Sequence, residues 1–460
     1  METQDNLAAG TDGIHRRTVN EQKTTMRRQG AKLKQYIRSL EQRLKETETT
    51  SRATSVPGQE VGHNAAESSD SDDALHVYAA KASNTSQTPQ SGWPKVITRN
   101  IIHAQQHMNN LERNVFVPLP PKEYMVHFVF NALEDMYQIR PLFSTSEVLK
   151  LVDDQCLAGL SNCHDNPTRW ATLNALIAMG IQWKADNRAI EELFPISWAY
   201  FKNAYAIFPE LVARGASLES CQAMLAMALF MQGTADALTF TSLLSAAAHT
   251  AQCIGLHLED AGGPTEAIGM EKRRRTFWLI RVLQCNASIK LGLPAPFDEV
   301  DVDLPAQEPA MGACVTTDLL RHMSTLSLIQ SRISRHLRPE SALWKDHDEM
   351  LQVLADIDNR LAHWLSELPS ELRPPHSPRA VDPGIAELHF AYYACTWRIH
   401  GANSMIQKTQ NHSASASSLL LVMPDPAHSA RATISLFQSM SPQPLAVLWY
   451  VLRLSVPHGF

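Results

Sequence analysis

One helix-length stretch near the middle of the chain constrains the fold more than any other feature. Four consecutive basic residues, Lys272 to Arg275, run directly into a strongly apolar segment. Within that segment, leucine or alanine recurs at every fourth position: Leu279, Leu283, Ala287 and Leu291. Further apolar side chains flank this stripe on both sides, and a helix that is apolar over most of its circumference is buried inside a protein. The pattern predicts a core helix, with Phe277, Trp278, Leu279 and Leu283 buried.

The end of this helix is also marked in the sequence. Gly292 stands where a left-handed cap is expected, and Pro294 and Pro296 prevent the helix from continuing. An acidic segment follows and closes at Pro305. This order of elements resembles the signature segment of the fungal-specific transcription factor domain, the large helical region of fungal zinc-cluster regulators.

The resemblance extends roughly from residue 115 to the C-terminus. Five further segments are similar to helices of that family: Leu119–Phe143, Trp170–Gly180, Trp198–Leu211, Leu243–Asp260 and Leu388–Gly401. Two positions depart from the family pattern, because Gln284 replaces the usual acidic residue and Leu293 replaces the usual arginine of a Gly-Arg-Pro turn. The resemblance implies a helical regulatory domain, and both departures are expected to weaken a polar contact inside it.

Composition and patterning predict an all-α protein with four segments. The chain is 44% hydrophobic and 19% charged, as expected for a globular protein with some disorder. We expect a disordered tail over residues 1–14 and a basic region with a short coiled-coil helix over 15–47. A disordered, acidic and Ser-rich linker is expected over 48–114, followed by a large α-helical regulatory domain over 115–460.

The N-terminal segment predicts a dimer that contacts DNA. Apolar residues alternate at spacings of four and three, as in a coiled-coil seam: Leu33, Ile37, Leu40 and Leu44. The candidate DNA contacts are the basic and amide residues around its start: Arg16, Arg17, Asn20, Lys23, Arg27, Arg28, Lys32 and Lys34. This segment resembles either the coiled coil that follows a fungal zinc cluster or the basic region of a fungal leucine zipper, although Gly30 weakens a continuous helix.

No metal site or cofactor is predicted. The family's zinc cluster needs six cysteines before the coiled coil, whereas the first cysteine here is Cys156. Cys156 and Cys163 with the adjacent His164 lack a fourth ligand, so scattered core cysteines are the preferred interpretation. Seven cysteines, an odd number, indicate reduced thiols inside a cell.

Two charged clusters have alternative interpretations. The run Lys272 to Arg275 could be a nuclear localisation signal, but pairing with carboxylates inside the domain is preferred. Asp298, Glu299 and Asp301 could hold magnesium in a helical enzyme, but they follow two prolines in a predicted loop. No stretch reaches the ~20 apolar residues that a membrane-spanning helix needs, so no membrane association is expected.

Together these patterns predict a nuclear fungal transcription regulator rather than an enzyme. The resemblance implies pathway-specific control, with a secondary-metabolite gene cluster as one candidate target. The expected partners are DNA, bound directly or through a partner regulator, and a second copy of the chain. Two alternatives stay open: a co-regulator without intrinsic DNA binding, and, more distantly, a helical metabolic enzyme.

Overall fold

A computed structural model describes residues 113, 115–139, 142–184, 190–214, 216–234, 236–258, 267–294, 297, 315–337, 347–374, 382–409 and 426–440. Contacts within the chain separate two units, Met1–Asn114 and Val115–Phe460. Apart from Arg113, every described residue belongs to the second unit.

All twelve regular elements among the described residues are helices, which confirms the all-α prediction for this part of the chain. In chain order they are α1 Lys122–Ile139, α2 Thr145–Ala158, α3 Pro167–Lys184, α4 Ile190–Tyr205, α5 Phe208–Arg214 and α6 Leu218–Gln232. They continue as α7 Ala237–Cys253, α8 Ala267–Leu291, α9 Val315–His336, α10 His347–Glu367, α11 Pro383–Thr409 and α12 Pro426–Ser439.

Side-chain caps fix where several of these helices begin. Ser144 precedes α2 and forms a reciprocal capping box with Glu147, which satisfies backbone donors that the first helical turn leaves unpaired. The Asp236 carboxylate caps α7 by accepting a hydrogen bond from the Thr239 N–H at 2.9 Å. At the other end of α8, Gly292 has φ +67°, as predicted for a left-handed cap.

The centre of the domain is built around α3 and α6. Thirteen consecutive side chains of α6, from Ser220 to Gln232, are buried, so this helix is enclosed on all sides. It packs against α3 and α7, and α3 in turn packs against α1 and α4. A close approach of α1 is possible because α3 carries Gly180 at the contact, where the carbonyl of Phe128 occupies the space that a side chain would need. Burial of this apolar surface is the main force that holds the helices together.

The chain segment before α1 is held against α4 by a buried amide. Asn203, which is fully buried, donates from Nδ2 to the carbonyl of Val117 at 2.6 Å and to Asn174 Oδ1 at 2.8 Å. Its Oδ1 accepts a hydrogen bond from the Phe116 N–H at 2.8 Å. A buried amide stabilises a structure only when its donors and acceptors are satisfied, and Asn203 meets that condition.

The second half of the domain is arranged around α8. This helix packs against α7, α9 and α11, and α9 also packs against α10 and α11. Two expectations about helix limits need correction. The segment Trp198–Leu211 is not one helix, because α4 ends at Tyr205 and α5 begins at Phe208. The basic run Lys272 to Arg275 does not start α8, because that helix begins five residues earlier at Ala267.

Candidate functional site

The basic run at the start of the signature segment is used inside the domain. Lys272 Nζ lies 3.2 Å from Glu147 Oε1, and Arg275 Nη2 lies 3.8 Å from Glu147 Oε2. Arg273 donates to the carbonyl of Ile254 at 3.3 Å. These contacts tie α8 to the first turn of α2 and to the turn after α7, and they confirm the expected pairing of the run with a carboxylate.

Glu147 joins this ion-pair cluster to the cap of α2. Its Oε2 accepts hydrogen bonds from the Ser144 N–H at 2.7 Å and from Ser144 Oγ at 2.9 Å. Burial raises the pKa of the Glu147 carboxyl, but the hydrogen bonds from Ser144 and the charge of Lys272 outweigh burial, so the net pKa is lowered. The ionised carboxylate is therefore the form that the folded domain favours.

We expect Glu147→Gln to lower the free energy of unfolding by about 0.5–1 kcal/mol at pH 7. Glutamine can keep the capping box with Ser144, so the change isolates the ion pairs with Lys272 and Arg275. Since the folded-state pKa of Glu147 is lowered, its contribution is present above the unfolded pKa and is lost as pH falls through the folded pKa. Urea denaturation between pH 7 and pH 3 measures the effect.

The difference in the free energy of unfolding between wild type and Glu147→Gln should accordingly become smaller as the pH falls from 7 to 3. Glu219→Gln is a matched control, because Glu219 also lies in the first turn of a helix but is exposed. A constant difference at all pH values, or an equal effect of Glu219→Gln, would contradict an ion-pair role for Glu147.

The apolar side of α8 lies in the core, as the sequence predicts. Phe277, Trp278, Leu279 and Leu283 are each at most 2% exposed. The ring of Phe277 packs edge-to-face against Phe297, with centroids 5.3 Å apart. Phe297 follows Gly292 and Pro294 at the C-terminal end of α8. Its contact with Phe277 therefore holds this part of the chain against the same helix.

Several polar residues of α8 beyond the basic run are buried as well, and three of them link α8 to three other helices. Gln222 of α6 donates to Thr276 Oγ1 at 3.3 Å, and Gln284 donates to the carbonyl of Leu244 in α7 at 3.4 Å. Gln330 of α9 donates to Asn286 Oδ1 at 2.8 Å. Gln284 thus keeps a hydrogen bond at the position where the family resemblance leads one to expect an acidic residue.

Arg281 is the least expected residue of this helix. Its side chain has no exposed surface, and its guanidinium carbon lies 6.0 Å from the ring centroid of Trp278. None of the described residues accepts a hydrogen bond from its Nε, Nη1 or Nη2 atoms. Sequence reasoning missed Arg281 because it weighed only the apolar residues of the segment. The available signal was a lone charged residue in the middle of an otherwise apolar run.

Two buried thiols lie near each other where α8 packs against α11, and one of them, Cys285, is also close to Arg281. Burial raises the pKa of Cys285 to about 11, and the charge of Arg281 partly opposes this effect. Burial likewise raises the pKa of Cys395 in α11 to about 12, with a hydrogen bond to Gln330 and the neighbouring Cys285 as smaller influences. Cys285, Gln330 and Cys395 therefore mark the place where α8, α9 and α11 meet, and Arg281 lies one turn before Cys285 on α8.

The described cysteines give no indication of a metal centre. None of the six described cysteines forms a disulfide, and Cys156, Cys163 and the adjacent His164 do not form a ligand cluster. Across the ranges that the structure describes, no group of three or more His, Cys, Asp or Glu side chains converges to hold a metal ion. Among the same residues, no helix is both long enough and apolar enough to cross a membrane. The predicted absence of zinc in the whole chain stays a prediction.

The candidate DNA-binding and dimerisation residues fall outside the described part of the chain. This holds for the basic region from Arg16 to Lys34, for Asn20 within it, and for the seam of Leu33, Ile37, Leu40 and Leu44. The acidic residues Asp298, Glu299 and Asp301 are outside it too. All of these assignments stay predictions.

Comparison with known proteins agrees with the resemblance seen in the sequence. An "ABC-transporter-regulating transcription factor" of Aspergillus oryzae is 29% identical over 303 residues, which are 63% of this chain and 34% of that protein. "Fusaridione A cluster transcription factor fsdR" of Fusarium heterosporum is 24% identical over 302 residues, which are 64% of this chain and 57% of that protein. "Transcription factor FBD3" of Gibberella moniliformis is 26% identical over 215 residues, 44% of this chain and 28% of that protein.

The chain thus spans about a third of the length of the Aspergillus relative and just over half of the Fusarium heterosporum relative. No solved structure matches the chain. Residues 158–372 match the family described as "Fungal specific transcription factor domain", a range that begins at the end of α2 and ends after α10. Residues 158–372 are therefore similar to a fungal specific transcription factor domain, and α8 lies within this range.

Proposed function

We propose that this protein is a fungal transcription regulator whose helical domain controls the activity of an N-terminal DNA-contacting segment. The observation that carries the proposal is the family match over residues 158–372, together with relatives that are themselves named transcription factors. The family and these names indicate a regulator rather than an enzyme. A regulator of transcription acts in the nucleus, which is the proposed location.

Control of one pathway is the proposed scope of this regulator. The name of the Fusarium heterosporum relative assigns that protein to a metabolite gene cluster, and the name of the Aspergillus relative assigns it to transporter regulation. Each name thus gives its protein one stated regulatory target. By analogy we propose that this chain serves a small gene set, with a secondary-metabolite cluster as the first candidate.

The direct test uses the tagged full-length protein in its own host. Chromatin immunoprecipitation should recover a small number of promoters, and deletion of the gene should change the transcription of the neighbouring genes and few others. Recovery of no promoter, together with an unchanged transcriptome under inducing conditions, would contradict a role in transcription.

Direct DNA binding by this chain is expected to be electrostatic and to depend on the first fifty residues. Among the charged residues of 15–45, Lys and Arg far outnumber Asp and Glu. Each phosphate contact contributes about 0.9 to the slope of log affinity against log salt concentration. Replacing Arg16, Arg17, Arg27 and Arg28 with Gln should therefore reduce that slope by about 3–4. Fluorescence anisotropy with a duplex at several salt concentrations measures it.

A matched control removes the same charge from the helical domain. Arg335, Arg360, Arg373 and Arg431 are exposed there, and their replacement with Gln should leave the slope unchanged. An equal slope for both quadruple variants would contradict a DNA contact in the N-terminal segment. Tight binding to one sequence that is lost on changing Asn20 would favour the basic-zipper form of the proposal. Weak, sequence-tolerant binding would favour the alternative, a co-regulator that acts through a partner.

Within the same proposal, the protein binds DNA as a homodimer through the seam of Leu33, Ile37, Leu40 and Leu44. The double variant Ile37→Lys and Leu40→Lys places charges in an apolar seam, so its mass by light scattering should be half that of the wild type. The control variant Ser39→Lys and Gln42→Lys adds the same charge outside the seam. Equal masses for all three proteins would show that the seam is not the dimer contact.

A further inference from the structure

A fully buried arginine without an acceptor among the described residues is the feature of this domain that most needs an explanation. The Arg281 side chain is 0% exposed, and all three guanidinium nitrogens are without a hydrogen-bond partner there. A guanidinium presents five N–H donors and no acceptor, so its burial without hydrogen-bond partners is costly. A buried charge without a partner destabilises a fold strongly, and the contact with the Trp278 ring offsets only part of that cost.

Two other buried groups on α8 and α9 can donate hydrogen bonds and have no partner among the described residues. Trp278 Nε1 lies one turn before Arg281 on α8, is buried, and has no acceptor among the described residues. Ser334 Oγ on α9 is also buried without a partner, one turn beyond Gln330, whose side chain contacts Asn286 of α8. Cys285, one turn beyond Arg281 on α8, is a buried thiol whose raised pKa keeps it protonated, and the same holds for Cys395 of α11 beside Cys285. A buried guanidinium with three unpaired nitrogens, with an unpaired indole N–H one turn away, suits a negatively charged group that accepts hydrogen bonds.

We propose that Arg281 binds the carboxylate or phosphate group of a small anionic ligand, enclosed where α8 meets α9 and α11. A planar guanidinium can hold either group through two parallel hydrogen bonds, which supplies both affinity and orientation. The indole of Trp278, packed against the guanidinium, presents an apolar face for the rest of the ligand. The proposal rests on these side chains and does not require the role in transcription.

Enclosure of the ligand has a consequence for the domain as a whole. Because Arg281 has no exposed surface, a ligand enters only when α8, α9 and α11 separate, and its binding stabilises their closed packing. The same helix is linked by hydrogen bonds to α6 and α7 through Thr276 and Gln284. Occupancy at Arg281 is therefore positioned to bias the packing of several helices at once.

The test measures thermal stability of the full-length protein with sodium phosphate, with sodium succinate, and with sodium chloride at matched ionic strength. Wild type should show a saturable rise of about 4 °C in Tm at an anion concentration near one hundred times the Kd, relative to chloride. Arg281→Met, which keeps the length and apolar packing of the side chain, should fold without added anion and show no rise. Arg431→Met removes an exposed arginine of α12 and should behave as wild type.

A response to phosphate alone would identify a phosphorylated ligand, and a response to succinate alone would identify a carboxylic acid. If Arg281→Met does not fold, Arg281→Lys decides the question, because lysine keeps the charge but loses the two parallel bonds and should weaken anion binding at least about tenfold by calorimetry. The proposal is overturned if neither anion stabilises the wild type, or if the Arg281 variants respond as the wild type does. Since the readout is binding, its failure is distinct from failure of the promoter-occupancy test.

Discussion

Replacing Trp278 with alanine should lower the free energy of unfolding by about 3–5 kcal/mol, the range for truncation of a large aromatic side chain in a core. The side chain is 1% exposed, and its ring packs edge-to-face against Phe277 with centroids 5.4 Å apart. Truncation leaves a cavity beside α8 and removes the ring that lies against the Arg281 guanidinium. The loss therefore combines apolar packing with greater isolation of a buried charge.

Equilibrium unfolding in urea measures this prediction through the transition midpoint, provided that the slope of the transition stays unchanged. Trp278→Phe is the control, because it keeps an aromatic ring, and because Nε1 of Trp278 has no hydrogen-bond partner among the described residues to lose. We expect the phenylalanine variant to lose less than half as much stability as the alanine variant. A midpoint equal to that of wild type for Trp278→Ala would mean that the signature helix is not part of the core.

The burial of α8 could be predicted from the sequence because it depends on local information. The apolar residues recur at helical spacing, and Gly292 followed by prolines marks the end, where the structure has a φ of +67°. The same reasoning predicted the C-terminal end of the helix correctly but not its N-terminal end. The helix begins at Ala267, five residues before the basic run. Gly262, Gly263 and Pro264, which have the lowest helix propensities, stand shortly before Ala267 and were the available signal for this start.

The state of Arg281 could not be predicted in the same way. A single arginine in an apolar helix ordinarily extends its long side chain until the charge reaches water. Whether that is possible depends on what surrounds the helix, and here α7, α9 and α11 pack against it. Gln330 and Cys395 lie 49 and 114 residues further along the chain, so no local pattern contains the information. For Lys272, the sequence predicted an ion pair with a carboxylate but not which carboxylate, because Glu147 lies on a different helix.

Gly180 shows a second kind of information that the sequence hides. Within α3 it resembles a weak point, because glycine in a helix interior costs about 1 kcal/mol relative to alanine. The structure gives the reason for it on α1, about fifty residues earlier in the chain. A Cβ atom at this position would overlap the carbonyl oxygen of Phe128 and would lie 2.8 Å from its carbonyl carbon and 3.3 Å from the amide nitrogen of Ala132. The glycine is therefore what permits α1 and α3 to pack with their backbones in contact.

Gly180→Ala should consequently destabilise the domain by about 3 kcal/mol or more, although alanine is the better helix former. The obstructing atoms belong to the backbone of α1, so they cannot turn away as a side chain could, and the two helices must separate along their contact. The gain in helix propensity is only about 1 kcal/mol, which is smaller than the expected cost of separating them. Urea denaturation followed by circular dichroism gives the difference directly.

Gly233→Ala provides the comparison, because Gly233 at the end of α6 has φ −78°, a conformation open to any residue. That variant should stay within about 1 kcal/mol of wild type. If Gly180→Ala were as stable as wild type, the added Cβ atom would have met no steric obstacle. That result would contradict the close contact between α1 and α3 at the Phe128 carbonyl. A large loss at Gly180 beside a small change at Gly233 would locate the cost in the helix contact rather than in the backbone freedom of glycine.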